Sequence, residues 1–384
     1  MTKPAHDRAT GPAILQVLPA LGSGGVERGT VEVAGAIVKA GGRAFVISTG
    51  GPLVHDLERA GAVHVIMPVA SKNPFVMWRN AARLARFIID NGISLVHARS
   101  RAPAWSCLWA CRRMHVPLVT TVHAAYKAEG NLKRAYNSVM TKGARVIAIS
   151  QFIAHYIQEN YAVDPDIIRI IPRGVDLAKF NPDSVSAERM VGLSRKWELP
   201  DDRQIIFMPS RLTRIKGHEV LLKALAKLKR RDFCCVMVGG GDTRSAYLRE
   251  IQQLVEKLGL AGKIYIVDHC SDMPAAYQMS SVVVMPSLVP EGFGRNPVEA
   301  QAMGRPVIAT GIGGCAETVI GGETGWLVPP DDADALADAL TEVLALDAAG
   351  REKLAGAAMA HVRENYSIDR MLDGTLAVYE ELIR

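Results

Sequence analysis

The stretch EGFGRNPVEAQAMG, residues 291–304, sets Glu291 and Glu299 eight positions apart around a Gly-Phe-Gly turn. A strand-like run, SVVVMPS, precedes it, and Pro297 marks a helix start. Asn296 is the expected N-cap, and Glu299, three residues on, would complete a capping box. The plainest reading of Glu291 is an acid beside the positive end of that helix. Gly292 and Gly294 also let a ligand approach the backbone, so that the amides of Phe293, Gly294, Arg295 and Asn296 face an anion. A second loop, SRLTRIKGHEV, carries Arg211, Arg214 and Lys216 ahead of a helix expected to begin near His218. Cations at a helix N-terminus oppose its dipole by ~0.3–1 kcal/mol each, a cost that a bound anion offsets. Solvated loop charges are the alternative. Two anion sites imply a diphosphate, and the carboxylates then make sense as acceptors for hydroxyls, a sugar on one side and a ribose on the other. That pattern suits a nucleotide sugar.

Other candidates lie at strand ends nearer the N-terminus. The loop LPALGSGGVERG resembles a dinucleotide fingerprint, but Glu27 stands at its third glycine position. The second strand also lacks a terminal acid for an NAD ribose. Gly24 and Gly25 fit a loop that approaches a phosphate or a sugar. His123 follows the run PLVTTV, and is either a site residue or a structural histidine. Ser150 reads as an N-cap. Arg173 in IIPRGVD is either an acceptor-side contact or a partner for an acid. Asp331, Asp332 and Asp334 resemble a metal-binding Asp-x-Asp, but they precede an alanine-rich helix, where capping is the better reading. No metal and no cofactor are expected.

The elements that must position these residues alternate regularly. Apolar runs AILQVLP, AFVIST, VHVIMP, SLVHAR, PLVTTVHA, RVIAIS and IRIIPRG are separated by segments of helical period, as buried parallel strands are. The pattern restarts with IIFMPS, CCVMVGG, KIYIVDH, SVVVMPS, PVIATG and GWLVPP. The expectation is an α/β protein of two doubly wound, Rossmann-like domains, with a linker near 176–200. The expected bounds are 1–178 for an acceptor domain, 179–365 for a donor domain, and 366–384 for a helix with no strand after it. In open α/β sheets ligands sit at the carboxyl ends of strands, where every candidate above lies.

At 384 residues the chain is long enough for two full cores. It has no apolar signal-peptide core and no 18-residue apolar run. Six cysteines without zinc spacing read as reduced core thiols of a cytoplasmic protein. The net charge of +6 is uneven. Residues 1–175 hold 21 Lys/Arg against 10 Asp/Glu, and the remainder 24 against 29. The basic half implies an anionic partner. Without aromatic-basic interleaving, nucleic acid is not expected. Arg79, Arg83 and Arg86 share one helical face, and with Phe75, Trp78 and Phe87 they imply peripheral contact with an anionic membrane. Lys133, Arg134, Lys142 and Arg145 extend the basic character.

Taken together, the motifs resemble the retaining family-4 glycosyltransferases of the GT-B fold, of the envelope polysaccharide and lipopolysaccharide type. The matching pieces span nearly the whole chain: GSGGVER, TVHAAY, AIS, IIPRGVD, SRLTRIKG, VGGGD, EGFGRNPVEAQAMGRPVIATGIGG and ETGWLVPP. The resemblance implies two domains facing a central cleft, with the C-terminal helix crossing back to the N-domain. It implies that Arg211 and Lys216 bind the donor diphosphate, Glu291 the sugar hydroxyls and Glu299 the ribose. Gly24 and Gly25 would lie beside the phosphates and His123 beside the transferred sugar, with a glycan or lipid-linked acceptor. The family often has Asn where this chain has Arg173. A sugar-nucleotide epimerase and a non-catalytic nucleotide-sugar-binding subunit are the rival readings.

Overall fold

The computed structural model describes residues 11–126, 130–230, 232–239 and 246–383. Each apolar run named above overlaps one strand, to within a residue at its start. In the first unit these are Ala13–Val17 (β1), Arg43–Ser48 (β2), Val63–Ile66 (β3), Ile93–Ala98 (β4), Leu118–Val122 (β5), Arg145–Ala148 (β6) and Ile168–Ile170 (β7). The second unit has Gln204–Pro209 (β8), Phe233–Val238 (β9), Ile264–Val267 (β10), Val282–Met285 (β11), Val307–Thr310 (β12) and Trp326–Val328 (β13). Two compact units result, one running to Pro172 and resuming at Asp369, the other Arg173–Ile368.

Both sheets are wholly parallel. The first has the order β3-β2-β1-β4-β5-β6-β7 and the second β10-β9-β8-β11-β12-β13. The direction of winding reverses between β1 and β4, and between β8 and β11. At such a switch point the loops leave to opposite faces and open a crevice at the carboxyl edge. Burial on both faces explains the unbroken apolar runs: β9, FCCVMV, is buried throughout. All six cysteines are free and buried. Around β8, β9 and β11 the second core gathers Ile206, Met208, Phe233, Met237, Val282 and Val284 with Leu221 and Leu225 of the His218–Lys227 helix.

The Ile368–Ile383 helix completes the first unit. Tyr379 shares a 2.7 Å hydrogen bond with His97 Nδ1 on β4, and His97 Nε2 meets Thr121 Oγ1 at 2.7 Å. Glu381 accepts from Arg145 Nε at 2.8 Å and from Arg169 Nη2 at 2.9 Å, which pins the helix to β6 and β7. No helix among the described residues is long and apolar enough to cross a membrane.

Hydrogen bonds from Arg169 and Arg145 pull the Glu381 carboxyl down to about 2. The unfolded chain therefore takes up the proton first. The stabilisation is present above the ordinary carboxyl range and fades as pH falls from about 4.5 toward 2. Because all three side chains are about a third exposed, solvent screening holds it to ~1 kcal/mol. Glu381→Gln should lose that amount at pH 7 in urea melts, with the gap closing under acid; equal midpoints at pH 7 would count against the clamp.

Candidate functional site

In the second unit, the loops that follow β8 and β11 meet at the switch point. Gly217 adopts φ +77°, and a Cβ there would lie 1.9 Å from the Pro286 carbonyl oxygen, so only glycine fits. The amide of Leu288 donates to Ile215 O at 2.8 Å across the same contact. This seam sets Lys216 against Glu291, with Nζ 2.7 Å from Oε1 and both side chains mostly shielded from solvent. Ser287 Oγ donates to that same Oε1 at 2.5 Å, and Thr310 Oγ1 fixes Ser287 by its carbonyl at 2.9 Å. Glu291 Oε1 is thus doubly held, and Oε2 has no hydrogen-bond partner among the described residues. Arg211, two residues past β8, is exposed and has no partner among the described residues. Arg214 is engaged elsewhere, by Glu219 at 3.3 Å and by Glu250.

The helix after the Gly-Phe-Gly turn begins differently from expectation. It spans Arg295–Ala302 with Gly294 as N-cap at φ +81° and no side-chain cap. A Cβ on Gly294 would lie 2.6 Å from Cys315 Sγ, so its glycine serves the turn and this packing. The expected capping box between Asn296 and Glu299 does not form. Asn296 lies inside the helix, and its Nδ2 donates to the Pro209 carbonyl at the end of β8. Glu299, 6% exposed, accepts from Arg295 Nε at 2.8 Å and from Tyr277 Oη at 3.0 Å. Phe293 is buried edge-on against Tyr366 at 5.5 Å, leaving its amide, not its ring, as the group that can serve a ligand.

His218, Ser287 and Tyr277 escaped the sequence reading. His218 is fully buried behind the Lys216 loop, its Nε2 3.4 Å from Ser210 Oγ. Burial pushes its pKa down to about 4; a backbone hydrogen bond to Thr213 opposes this and Lys216 adds to it. Burial, then Glu291, lifts the Cys315 thiol to about 12, so it stays protonated. The only signal for Ser287 was its place four residues ahead of Glu291.

The remaining candidates belong to other places. Gly24 is the N-cap of the Gly25–Lys39 helix and Gly25 its first residue, and the Glu27 carboxylate lies back over Gly24. His123 sits half-buried just past β5, and Arg173 half-buried three residues past β7. Ser150 caps its helix by accepting from the Ile153 amide at 3.1 Å. Asp332 caps the Ala333–Leu344 helix. In the VGGGD motif, residues 240–242 lie outside the described residues. Phe75 and Trp78 are each 63% exposed, but Phe87 packs edge-on against Phe45 at 5.6 Å and is no surface anchor. Arg145 is committed to Glu381 and is not a free surface cation.

Residues 23–179 match the description Glycosyltransferase Family 4, and residues 193–360 match Glycosyl transferases group 1. A D-inositol 3-phosphate glycosyltransferase of Actinosynnema mirum is 34% identical over 299 residues, 71% of this chain and 68% of that protein. One from Salinispora tropica is 32% identical over 71% of this chain, which spans only 61% of that relative's length. Among solved structures, a glycosyltransferase from Rickettsia africae is 40% identical, with a TM-score of 0.91 over 98% of this chain and 99% of that one. Anabaena HepE, solved with UDP-glucose, shares the fold at 21% identity, with a TM-score of 0.83 over 96% of this chain and 100% of that one.

The buried His218 supplies a test of the loop's packing. It is neutral in the fold, so below pH 6.5 the unfolded chain binds a proton that the folded chain refuses. Stability should fall as pH drops from 6.5 to about 4, by on the order of 3 kcal/mol. Urea melts of His218→Gln should lose that part of the slope; curves that stay parallel to the parent's over this window would refute it.

Proposed function

Because the chain belongs to the family-4 glycosyltransferases of the GT-B fold, we propose that it moves a hexosyl group from a nucleoside-diphosphate sugar, carrying UDP or GDP, to a glycan or lipid-linked acceptor. The transfer retains the anomeric configuration and serves cell-envelope polysaccharide or lipopolysaccharide synthesis. The observation that carries the reading is the state of Glu291. Its Oε1 is saturated by Lys216 and Ser287, which fixes the carboxylate and turns its open Oε2 into an acceptor for a sugar hydroxyl. The crystal structure of Anabaena HepE with UDP-glucose supports a donor of this class.

In this reading Arg211, Lys216 and the amides of Phe293 to Asn296, with Gly292 between Glu291 and those amides, receive the diphosphate as it leaves. Lys216 has two further N–H donors for a phosphate while it keeps Glu291. Such preorganised donors are worth ~3–4 kcal/mol each toward the transition state. The C1–O bond to phosphate breaks as the acceptor oxygen bonds to C1 on the same face, and the acceptor proton passes to the departing phosphate. Glu299, steadied by Arg295 and Tyr277, keeps lone pairs for the ribose. By the family resemblance, Gly24 and Gly25 serve the phosphates, His123 the transferred sugar and Arg173 the acceptor. Cations supply the charge that a metal would bring, so none is required. An epimerase or a binding subunit would bind the donor without transferring its sugar.

Release of nucleotide from a panel of UDP- and GDP-hexoses, with and without EDTA, tests the reading. Turnover should persist in EDTA; activity lost there and restored by magnesium would overturn the metal-free mechanism, and no release from any donor would overturn the function. Glu291→Gln should cut turnover by about a hundredfold with little change in affinity for free nucleotide. Glu299→Gln should weaken that affinity; unchanged affinity with a loss of ~1–3 kcal/mol in stability would make Glu299 purely structural.

Peripheral attachment to an anionic membrane is the second part of the proposal. It is supported by the exposed Pro74–Asn91 helix face, where Phe75 and Trp78 stack at 6.3 Å beside exposed Arg79, Arg83 and Arg86. Each such cation near an anionic surface adds ~1 kcal/mol. Co-sedimentation with phosphatidylglycerol vesicles should weaken with salt and fall sharply when the three arginines become glutamine. Indifference to vesicles at low ionic strength would overturn it.

A further inference from the structure

The charged groups of the second unit's site come in two couples, each of one acid and one cation. Glu291 Oε1 meets Lys216 Nζ at 2.7 Å, and Glu299 Oε1 meets Arg295 Nε at 2.8 Å. Arg295 leaves its grip incomplete. Arg189 holds Asp272 through Nε at 2.8 Å and Nη2 at 2.6 Å, and Arg230 holds Asp232 through the same two nitrogens at the same lengths. That planar fork matches both oxygens of a carboxylate. Arg86 also meets Asp90 through Nε alone, but as an exposed surface pair. At Glu299 the second oxygen is already taken: Tyr277 Oη donates to Oε2 at 3.0 Å. Tyr277 is fully buried against Phe207 at 5.5 Å and Phe180 at 6.1 Å, which fixes its hydroxyl in place. Nη1 and Nη2 of Arg295 have no hydrogen-bond partner among the described residues, and the side chain is 35% exposed.

The place of this free fork on its helix gives it a use. Arg295 is the first helical residue after Gly294, no side chain caps the end, and the first turn contains no acid. A cation there opposes the helix dipole unless an anion shares the end. Helical side chains lean toward the N-terminus, so Glu299 covers the first turn and Arg295 reaches over the Gly-Phe-Gly end. The guanidinium therefore stands between the carboxylate assigned to the ribose and the amides assigned to the diphosphate. A phosphate arriving beside Glu299 meets a carboxylate that is nearly buried, where Coulomb repulsion is poorly screened. A cation held between the two turns that repulsion into attraction. Lys216 stands in the same relation to Glu291. A nucleoside diphosphate has one phosphate on the ribose side and one on the sugar side, and the two couples supply a cation to each.

We propose that the Arg295 side chain binds the nucleotide directly: while Nε holds Glu299, Nη1 and Nη2 donate to the 5′-phosphate, so that the ribose and its own phosphate are read as one unit. The inference rests on the glycosyl-transfer reading and assigns a further residue of its donor side. Arg295 serves the phosphate next to the ribose, and Lys216, Arg211 and the helix amides keep the one next to the sugar. The contact is blind to the base.

Ligand-detected NMR titrations of the full chain with uridine and UMP, and with guanosine and GMP, measure what the 5′-phosphate adds to affinity. Arg295→Met should cut that gain by about tenfold or more, the loss of charged hydrogen bonds. Arg295→Lys keeps a cation that can serve Glu299 or the phosphate but not both; it should retain part of the gain, which covers a Met variant that fails to fold. Tyr277→Phe frees Glu299 from its other side and should weaken nucleoside and nucleotide by the same factor, leaving the gain as in the parent. An arginine that acted only through Glu299 would follow that second pattern. The proposal is overturned if Arg295→Met weakens nucleoside and nucleotide equally, if it matches the parent, or if Tyr277→Phe loses the gain as well. Release of nucleotide from UDP- and GDP-hexoses by the same parent preparation separates the failures. Turnover with a 5′-phosphate gain untouched by Arg295→Met strikes this contact alone, whereas a chain that binds neither series and releases nothing takes the transferase reading with it.

Discussion

The contact of Gly217 with the Pro286 carbonyl is the constraint on which the second unit's site depends. A residue with a side chain at 217 would push the loop after β8 off the loop after β11. With glycine there, the two loops join by a backbone hydrogen bond, and Lys216 falls beside Glu291. The ion pair is a result of the seam and not its cause. Holding two partly shielded charges at 2.7 Å requires that their backbones be fixed first, since neither long side chain would give up its freedom for a surface pair alone. The strand order explains why the seam lies where it does: β8 and β11 are neighbours in space, and their loops leave on opposite sides of the sheet.

Much of the architecture was legible because buried parallel strands leave continuous apolar runs; each of the 13 strands among the described residues overlaps such a run, β2, β4, β8 and β9 starting one residue ahead of it. The helix start at residue 295 was misread for a local reason. Asn296 followed by proline is a good cap sequence, but Gly294 takes the left-handed turn one step earlier, and the Asn296 amide is drawn to the end of β8, 87 residues back in the chain. The partner of Glu299 was invisible for a similar reason. Tyr277 lies 22 residues away on another helix, and no periodicity within either segment relates the two. Phe87 was assigned to the surface because its spacing from the arginines fits, yet 3.6-residue geometry turns it toward Phe45. Residue types and spacing located the charged loops; the contacts that saturate each oxygen came from packing between distant segments.

The two units divide the electrostatics as well as the chain. In the second unit the cations around the site, Arg211 apart, are answered: Lys216 by Glu291, Arg214 by two glutamates and Arg295 by Glu299, with Arg189 held by Asp272 at 2.6 Å further off. In the first, Arg145 and Arg169 share one carboxylate, Arg59 and Arg86 pair with Asp56 and Asp90 at the surface, and Arg99 feels Glu32 and Glu27 without a direct ion pair to either. Neutralised pairs hold geometry at little cost in long-range field, whereas unanswered ones keep a field that reaches about a Debye length, ~8–10 Å. The first unit therefore projects the larger positive field, in line with its 21 Lys/Arg against 10 Asp/Glu over residues 1–175.

The helix that completes the first unit has a consequence for the order in which the protein is made. Its strands leave the ribosome early, but Tyr379 and Glu381, which lock His97, Arg145 and Arg169, are translated after the whole of the second unit. Leu376, Tyr379 and Ile383, which line one pocket together with Ile14 and Ile37, are likewise absent until then. The second unit is continuous in the chain and needs nothing made later. Birth order and completion order are thus reversed: the half whose strands emerge first is sealed only after the second unit has been made.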